Sequence, residues 1–476
     1  MRNMQTTSGP PALPLRLDRT VDVPLATQLA TGIRRLVGAG TLRRGARLPA
    51  SRALAVELGV SRAVVTQAYE QLVAEGWLDA SHGSGTFVAG TATAPPPSTP
   101  APSTSTPRAA AAPAEPTLVR LDTGTPWIDP RHRAGWRRAW RDVAAAVPPP
   151  GYDDPCGIPA LRAALAERLG RLRGVDCDPD QVVVTQGTTD GLRALLEVLP
   201  DGAVAVEDPG YRAAVATVRA AGRTVVDVPA RGAPVVPPDV VATYVTPAHQ
   251  HPLGHVMAAA DRVALLAAAT AQDAVVVEDD YDSEFRYDVA PVPALASLDR
   301  SRVAYLGTAS KSVSPSLRLG WLVPPPHLLD AVRAARAVRH EGVSWPVQRA
   351  FLSMLRDGYV DRVVRSARRV YADRAPRVAA VLAAHAEPAG PSAGMYSTWL
   401  LPTDRALAAR DVARAVGFDV PLLADYTRGS TLTGLVVGFG GVSDVELDTA
   451  LDAIARGLAG RGLDDHRDGA DPRRPR

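Results

Sequence analysis

Apolar residues at Leu25, Leu29, Ile33, Leu36 and Val37 recur at the interval that places them on one face of a helix. Pro24 suits that helix's first turn. Ser51 reads as the cap of a short helix running through Leu58 and closed by Gly59, and Ser61 as the cap of another, running through about Glu75 and stopped by Gly76. Two short helices meeting at a tight Gly-containing turn predict a helix-turn-helix. Trp77 to Val88, interrupted by His82-Gly83-Ser84-Gly85, predicts a hairpin.

Farther along, the pattern changes. Apolar strands at 182–185, 203–206, 224–228, 242–245, 274–277 and 303–306 alternate with Ala-rich helical stretches, two of which start near Thr189 and Arg212. That alternation predicts an α/β unit whose mainly parallel sheet is covered by helices on both faces. From about Pro324 to His385 the pattern is helical, and strand-like segments between Gly394 and Phe439 suggest a smaller C-terminal α+β part.

Between these halves, residues 91–117 are almost wholly Pro, Ala, Thr and Ser, with Arg108 and Glu115 the only charges. Such a stretch cannot offset its ordering entropy by burial and is expected to be a flexible linker. The expected organisation is therefore a small domain over 15–90, a linker over 91–117, and a large domain over 118–460 whose smaller part covers about 330–460. A polar tail over 461–476 follows.

Composition narrows the chemistry. A chain of 476 residues that is 46% hydrophobic can build one large core and a small second one. Two cysteines, Cys156 and Cys177, are too few for a disulfide framework, and no cluster has metal-ligand spacing, so no metal is expected and a reducing, cytoplasmic setting fits. No apolar run approaches the roughly 20 residues that cross a bilayer, so no membrane partner is expected. Residues 1–90 carry ten Arg against six acidic residues, a surplus of four within a net charge of +3. The positive charge sits at the front.

Among the 53 basic residues there is one lysine, Lys311. Arginine substitutes for lysine on solvated surfaces but cannot act as an amine nucleophile, because its guanidinium stays protonated. A lone lysine is thus either a chance survivor or a chemical necessity, and its neighbours decide between the two.

Leu48-Pro49-Ala50-Ser51-Arg52, Leu58-Gly59-Val60-Ser61-Arg62, Ala74-Glu75-Gly76 and Gly83-Ser84-Gly85-Thr86-Phe87-Val88 together resemble the GntR winged-helix family over about residues 24–90. The resemblance implies a double-stranded DNA operator as partner. Arg62 and Thr66, near the start of the second helix, would read bases in the major groove. Ser61 and Arg52 would meet the backbone, and His82 and Gly83 correspond to the wing tip.

Arg318 follows Lys311 by seven residues in Thr308-Ala309-Ser310-Lys311-Ser312-Val313-Ser314-Pro315-Ser316-Leu317-Arg318, and Glu278-Asp279-Asp280-Tyr281-Asp282 ends an apolar strand. These segments resemble the cofactor site of fold-type I aminotransferases, which bind pyridoxal 5'-phosphate (PLP). With the winged helix in front, the whole chain resembles the MocR/GabR-type transcription regulators. The resemblance implies a Schiff base at Lys311, Asp279 on the pyridine nitrogen and Tyr281 on the phenolic oxygen. It also implies that Arg318, Thr308 and Ser310, with the Gly187-Thr188-Thr189 turn, hold the phosphate. Tyr211 would pack on the ring and His251 would line the pocket.

Two departures matter. The segment Gly434 to Phe439 lacks the arginine with which transaminases of this fold hold a substrate carboxylate, leaving Arg428 as a candidate replacement. Ala213 stands where GABA-responsive members carry an arginine, with Arg212 one step out of register. Both departures favour a sensor of PLP, or of its adduct with an amine or amino acid, controlling vitamin B6 or amino-acid metabolism genes. The alternative is a working aminotransferase with an accessory DNA-binding domain. Members of this fold build their cofactor sites at dimer interfaces, so a homodimer is expected, with a linker long enough for domain swapping.

Overall fold

The computed structural model describes residues 13–21, 23–81, 85–89, 118–287 and 293–460. The expected wing-tip residues His82 and Gly83, the linker and the tail lie outside the described residues. The chain forms two compact units, Met1–Pro113 and Ala114–Arg476.

In the first unit, α1 (Leu25–Gly38), α2 (Ser51–Leu58) and α3 (Arg62–Ala74) precede an antiparallel hairpin of β1 (Leu78–Ser81) and β2 (Gly85–Val88). Leu29 and Ile33 of α1 bury against Leu54, Val65 and Leu72, the stripes their helical spacing dictates. Gly59 ends α2 in the left-handed conformation at φ 63°, which costs glycine nothing. The expected cap at Ser51 is corrected: Ala50 occupies the cap position and Ser51 is the first helical residue. Its hydroxyl instead accepts from Arg62 Nε at 3.4 Å, tying α2 to α3. Ser61 does hold the cap position of α3, with extended backbone and no side-chain cap bond.

The second unit opens with β3 (Val119–Arg120), α4 (Arg133–Ala145) and α5 (Pro159–Arg173). Strands and helices then alternate: β4 (Val183–Thr185), α6 (Thr188–Val198), β5 (Ala203–Asp208), α7 (Arg212–Ala220), β6 (Val225–Pro229), β7 (Val240–Val245), α8 (Ala259–Ala271), β8 (Val275–Asp280), β9 (Val303–Thr308) and β10 (Gly320–Val323). They form one seven-stranded sheet in the order β4-β10-β9-β8-β7-β5-β6. Only β10 runs against its neighbours. Valine-rich strands such as β8, buried along their whole length, are what a sheet covered on both faces requires, and two apolar clusters lie on its two sides.

The helical stretch resolves into α9 (Pro326–Val338), α10 (Trp345–Arg356) and α11 (Tyr359–Leu382). The remaining elements are β11 (Glu387–Pro388), β12 (Tyr396–Leu400), α12 (Thr403–Ala415), β13 (Phe418–Asp419), β14 (Gly434–Gly438) and α13 (Asp444–Leu458). β11, β12 and β14 make a small antiparallel sheet, and β13 pairs with β3. Among the described residues no helix is long and apolar enough to cross a membrane, and no group of three or more His, Cys, Asp or Glu is placed to hold a metal ion.

Candidate functional site

Open α/β sheets present loops and helix N-termini at the carboxyl ends of their parallel strands, and ligands bind there. Gly187 follows β4, Tyr211 follows β5, Thr246 follows β7, Asp279 is near the end of β8 and Thr308 ends β9. These five line a single cavity of about 190 Å³. Lys311, Arg318, Ser310, Thr188, Thr189, Tyr281 and His251 lie on its wall as well, so each residue singled out from the sequence around the cofactor faces this one space.

Lys311 Nζ donates to the Gly124 carbonyl at 2.8 Å. Burial, partly opposed by Asp122, Asp282 and Asp279, lowers its pKa, which favours the neutral amine a nucleophile needs.

Asp279 is the counterpart. It is 3% exposed; its Oδ2 accepts from Tyr244 Oη, while Oδ1 is buried with no hydrogen-bond partner among the described residues. Burial pushes its pKa up to about 7. The neighbouring Asp280 is fixed by Arg173 Nε and Tyr305 Oη, both at 2.6 Å, which anchors the end of β8.

An anion cradle lies across the cavity. α6 begins at Thr188 with Gly187 capping it at φ 108°, and the Arg318 guanidinium lies 3.7 Å from where a Gly187 Cβ would be. Arg318 itself takes a left-handed conformation, φ 48°, rare for a residue with a side chain and the kind of strain functional sites retain. Thr308 Oγ1 and Ser310 Oγ are hydrogen-bonded at 2.9 Å beside it. A helix N-terminus, a guanidinium and two hydroxyls together suit a phosphate.

The aromatic wall is Tyr211, whose ring centroid is 5.5 Å from that of His251. Burial drives the His251 pKa down to about 3, so its ring is neutral across the physiological range. Tyr281 faces the cavity, but its hydroxyl donates to the His249 carbonyl at 3.0 Å and shares a 2.8 Å bond with Tyr396 Oη. Its one proton is thus engaged inside the protein.

The sequence reading missed Thr123, Gly124, Thr246 and Pro315 on the cavity wall and Tyr244 behind Asp279. Thr246 stands five residues before His251, in Thr246-Pro247-Ala248-His249-Gln250-His251, and that nearness is its one local signal. Gly124, 187 positions from its lysine partner, carries no local signal.

Arg428 is corrected as a carboxylate clamp. Its Nε pairs with Asp227 at 2.6 Å, its Nη2 donates to the Val206 and Glu207 carbonyls, and it does not line the cavity. Arg212 is exposed, with its guanidinium 5.0 Å above the Tyr426 ring, which in turn is 5.2 Å from His251.

In the first unit, Arg52, Ser61 and Arg62 are exposed and Thr66 is half-buried, one turn along α3 from Arg62. None of the four carries an ion pair among the described residues.

Residues 25–88 match the bacterial regulatory proteins of the gntR family, and residues 119–454 match aminotransferase class I and II. The pyridoxine biosynthesis transcriptional regulator PdxR of Corynebacterium glutamicum is 33% identical over 451 residues, covering 93% of this chain and 98% of that one. The probable rhizopine catabolism regulatory protein MocR of Rhizobium meliloti is 37% identical over 383 residues, covering 76% and 77%. Among solved structures, the kynurenine aminotransferase of Pyrococcus horikoshii superposes with a TM-score of 0.65 at 22% identity, over 72% of this chain and 91% of that one. This chain therefore belongs to the family of transcription regulators that join a gntR-type helix-turn-helix to an aminotransferase class I and II domain.

Proposed function

We propose that this regulator holds PLP in the cavity around Lys311 and changes its grip on a DNA operator when PLP, or PLP joined to an amine or amino acid, is bound. The observation that carries the reading is the buried, unpartnered Oδ1 of Asp279 in the same cavity as the amine of the one lysine in the chain. A buried carboxylate oxygen without a donor is costly, and a protonated pyridine nitrogen is the donor it lacks.

The remaining groups suit the rest of the molecule. Lys311 would attach to the aldehyde, Tyr211 would lie against the ring, and Tyr281 would face the phenolic oxygen after turning its hydroxyl from His249. Arg318, Thr308, Ser310 and the N-terminus of α6 at Gly187, Thr188 and Thr189 would hold the phosphate. When bound, PLP supplies an aldehyde that captures amines and an electron-withdrawing ring. In the first unit, Arg62 and Thr66 would read bases, with Ser61 and Arg52 on phosphates and the wing tip at His82 and Gly83 over the backbone.

The engagement of Arg428 by Asp227, and an arginine-free β14, support sensing over transamination. The name of the pyridoxine biosynthesis regulator points to vitamin B6 genes as targets, with amino-acid metabolism genes as the alternative. A cytoplasmic homodimer, domain-swapped through the linker, completes the reading.

The test is covalent. Protein treated with PLP and reduced with borohydride should gain one pyridoxyl group on the peptide containing Lys311. Lys311→Arg keeps charge and loses only nucleophilicity, so it should remain folded and acquire no label. Equal labelling of that variant rules out the assignment.

A further inference from the structure

We propose that a second cavity in the aminotransferase-like unit is a binding site for a small molecule with an apolar body and one hydroxyl or N–H donor. This cavity, of about 330 Å³, is larger than the one around Lys311. It lies between β5 to β7 and α8, and its apolar walls include Val228, Val245, Val256, Met257 and Leu265. That volume and character fall within the range of small-molecule sites, which are mostly apolar with a few fixed polar groups.

The polar groups are specific. Thr243, on the same face of β7 as Val245, is fully buried, and its Oγ1 has no hydrogen-bond partner among the described residues. His255 Nδ1 is likewise buried without a partner. The ring bonds the Ala230 backbone, and burial, reinforced by Arg231 and His249, drives its pKa down to about 4. The imidazole is therefore neutral at physiological pH, one nitrogen is used, and Nδ1 is left as an acceptor. An acceptor nitrogen and a hydroxyl on the wall of one cavity select a ligand that donates. The charged groups on the wall are Glu207, which accepts from Thr246, Arg231, whose Nη2 donates to the Ala389 carbonyl at 2.5 Å, and Asp261 in the first turn of α8.

Glu207 gives the site a route to the other cavity. It lines this one, and its Oε2 accepts from Thr246 N at 3.1 Å and Thr246 Oγ1 at 2.8 Å. Thr246 Oγ1 in turn accepts from His251 N at 2.9 Å, and both Thr246 and His251 line the cavity around Lys311. A ligand that displaces Glu207 thus shifts two residues of the PLP site. This coupling rests on the PLP reading; the binding site itself does not.

The probe is phenol, with toluene as the matched hydrocarbon that lacks a donor, titrated into the full-length PLP-free protein and followed by ligand-detected NMR. Phenol should bind saturably at one site per chain, at least about tenfold more tightly than toluene. His255→Phe and Thr243→Val should each weaken phenol by a similar factor while leaving toluene unchanged. Val235→Trp, at an exposed rim position that spares the core, should weaken both ligands, with circular dichroism reporting an intact fold.

Phenol binding that is not saturable, that matches toluene, or that survives Val235→Trp overturns the site. A PLP absorbance titration with and without saturating phenol then reads the coupling, expected as a change of at least about fivefold in PLP affinity. Identical PLP curves overturn the coupling alone. A protein that binds phenol but no PLP overturns the PLP reading and leaves the second site standing.

Discussion

Asp279→Asn should make the PLP-free protein more stable and PLP binding weaker, and the opposed signs distinguish a cofactor partner from a structural residue. In the PLP-free protein, burial raises the carboxyl from 3.8 to about 7. Below about pH 4 the group is protonated in both folded and unfolded states, and replacing a neutral acid with an amide changes little. Above about pH 7 the folded state carries an unpaired buried charge that the unfolded state does not penalise, so stability falls as pH rises from about 4 to about 7.

The span from 3.8 to about 7 corresponds to at most about 4 kcal/mol. Water entering the cavity reduces that to about 2 kcal/mol. The variant should therefore melt several degrees higher than wild type at pH 8, on the order of 4 °C, with the difference shrinking towards zero as pH falls from about 7 to about 4. With PLP the sign reverses, because a charge-assisted bond is replaced by a neutral one. A loss of about 1 to 2 kcal/mol, roughly 5- to 30-fold in affinity, should appear in absorbance titrations. Equal stabilisation at pH 8 and pH 4, or unchanged PLP affinity, would overturn Asp279 as the partner of the pyridine nitrogen.

Arg62→Ala should cost about 1 to 3 kcal/mol on a specific operator and much less on random duplex; equal losses on both DNAs in fluorescence anisotropy would make Arg62 a backbone contact. It should also free the Ser51 hydroxyl without unfolding the unit, since both residues are at the surface. Arg428→Ala should lower the melting temperature, because it strips partners from Asp227 and two carbonyls, yet leave PLP affinity within about twofold; a selective loss of effector response at full stability would restore it as a ligand clamp.

The cofactor cavity was legible where its chemistry is contiguous. Thr308 to Arg318 pack a nucleophile, two hydroxyls and a guanidinium into one turn-rich segment, and Glu278 to Tyr281 end a strand that must be apolar to be buried. What was missed is nonlocal. β10 is only four residues long and is fixed by pairing with β4 and β9, so no periodicity announces it. Tyr244 looks like any buried strand residue until β7 pairs with β8 and sets its hydroxyl against Asp279. Ser51 was misread because serine beside a helix start ordinarily caps it, whereas here the helix begins one residue earlier and Arg62 takes the hydroxyl.

If the proposed function holds, PLP binding is felt by the DNA-binding half of the chain. PLP can regulate only if it binds the conformations that grip DNA differently with different affinity. The direct measurement is an operator titration of PLP-free and PLP-loaded full-length protein at one fixed salt concentration, with occupancy verified by borohydride labelling at Lys311. The account predicts operator affinities that differ by roughly 5- to 150-fold, a difference absent in Lys311→Arg. Superimposable curves at full PLP occupancy would contradict it.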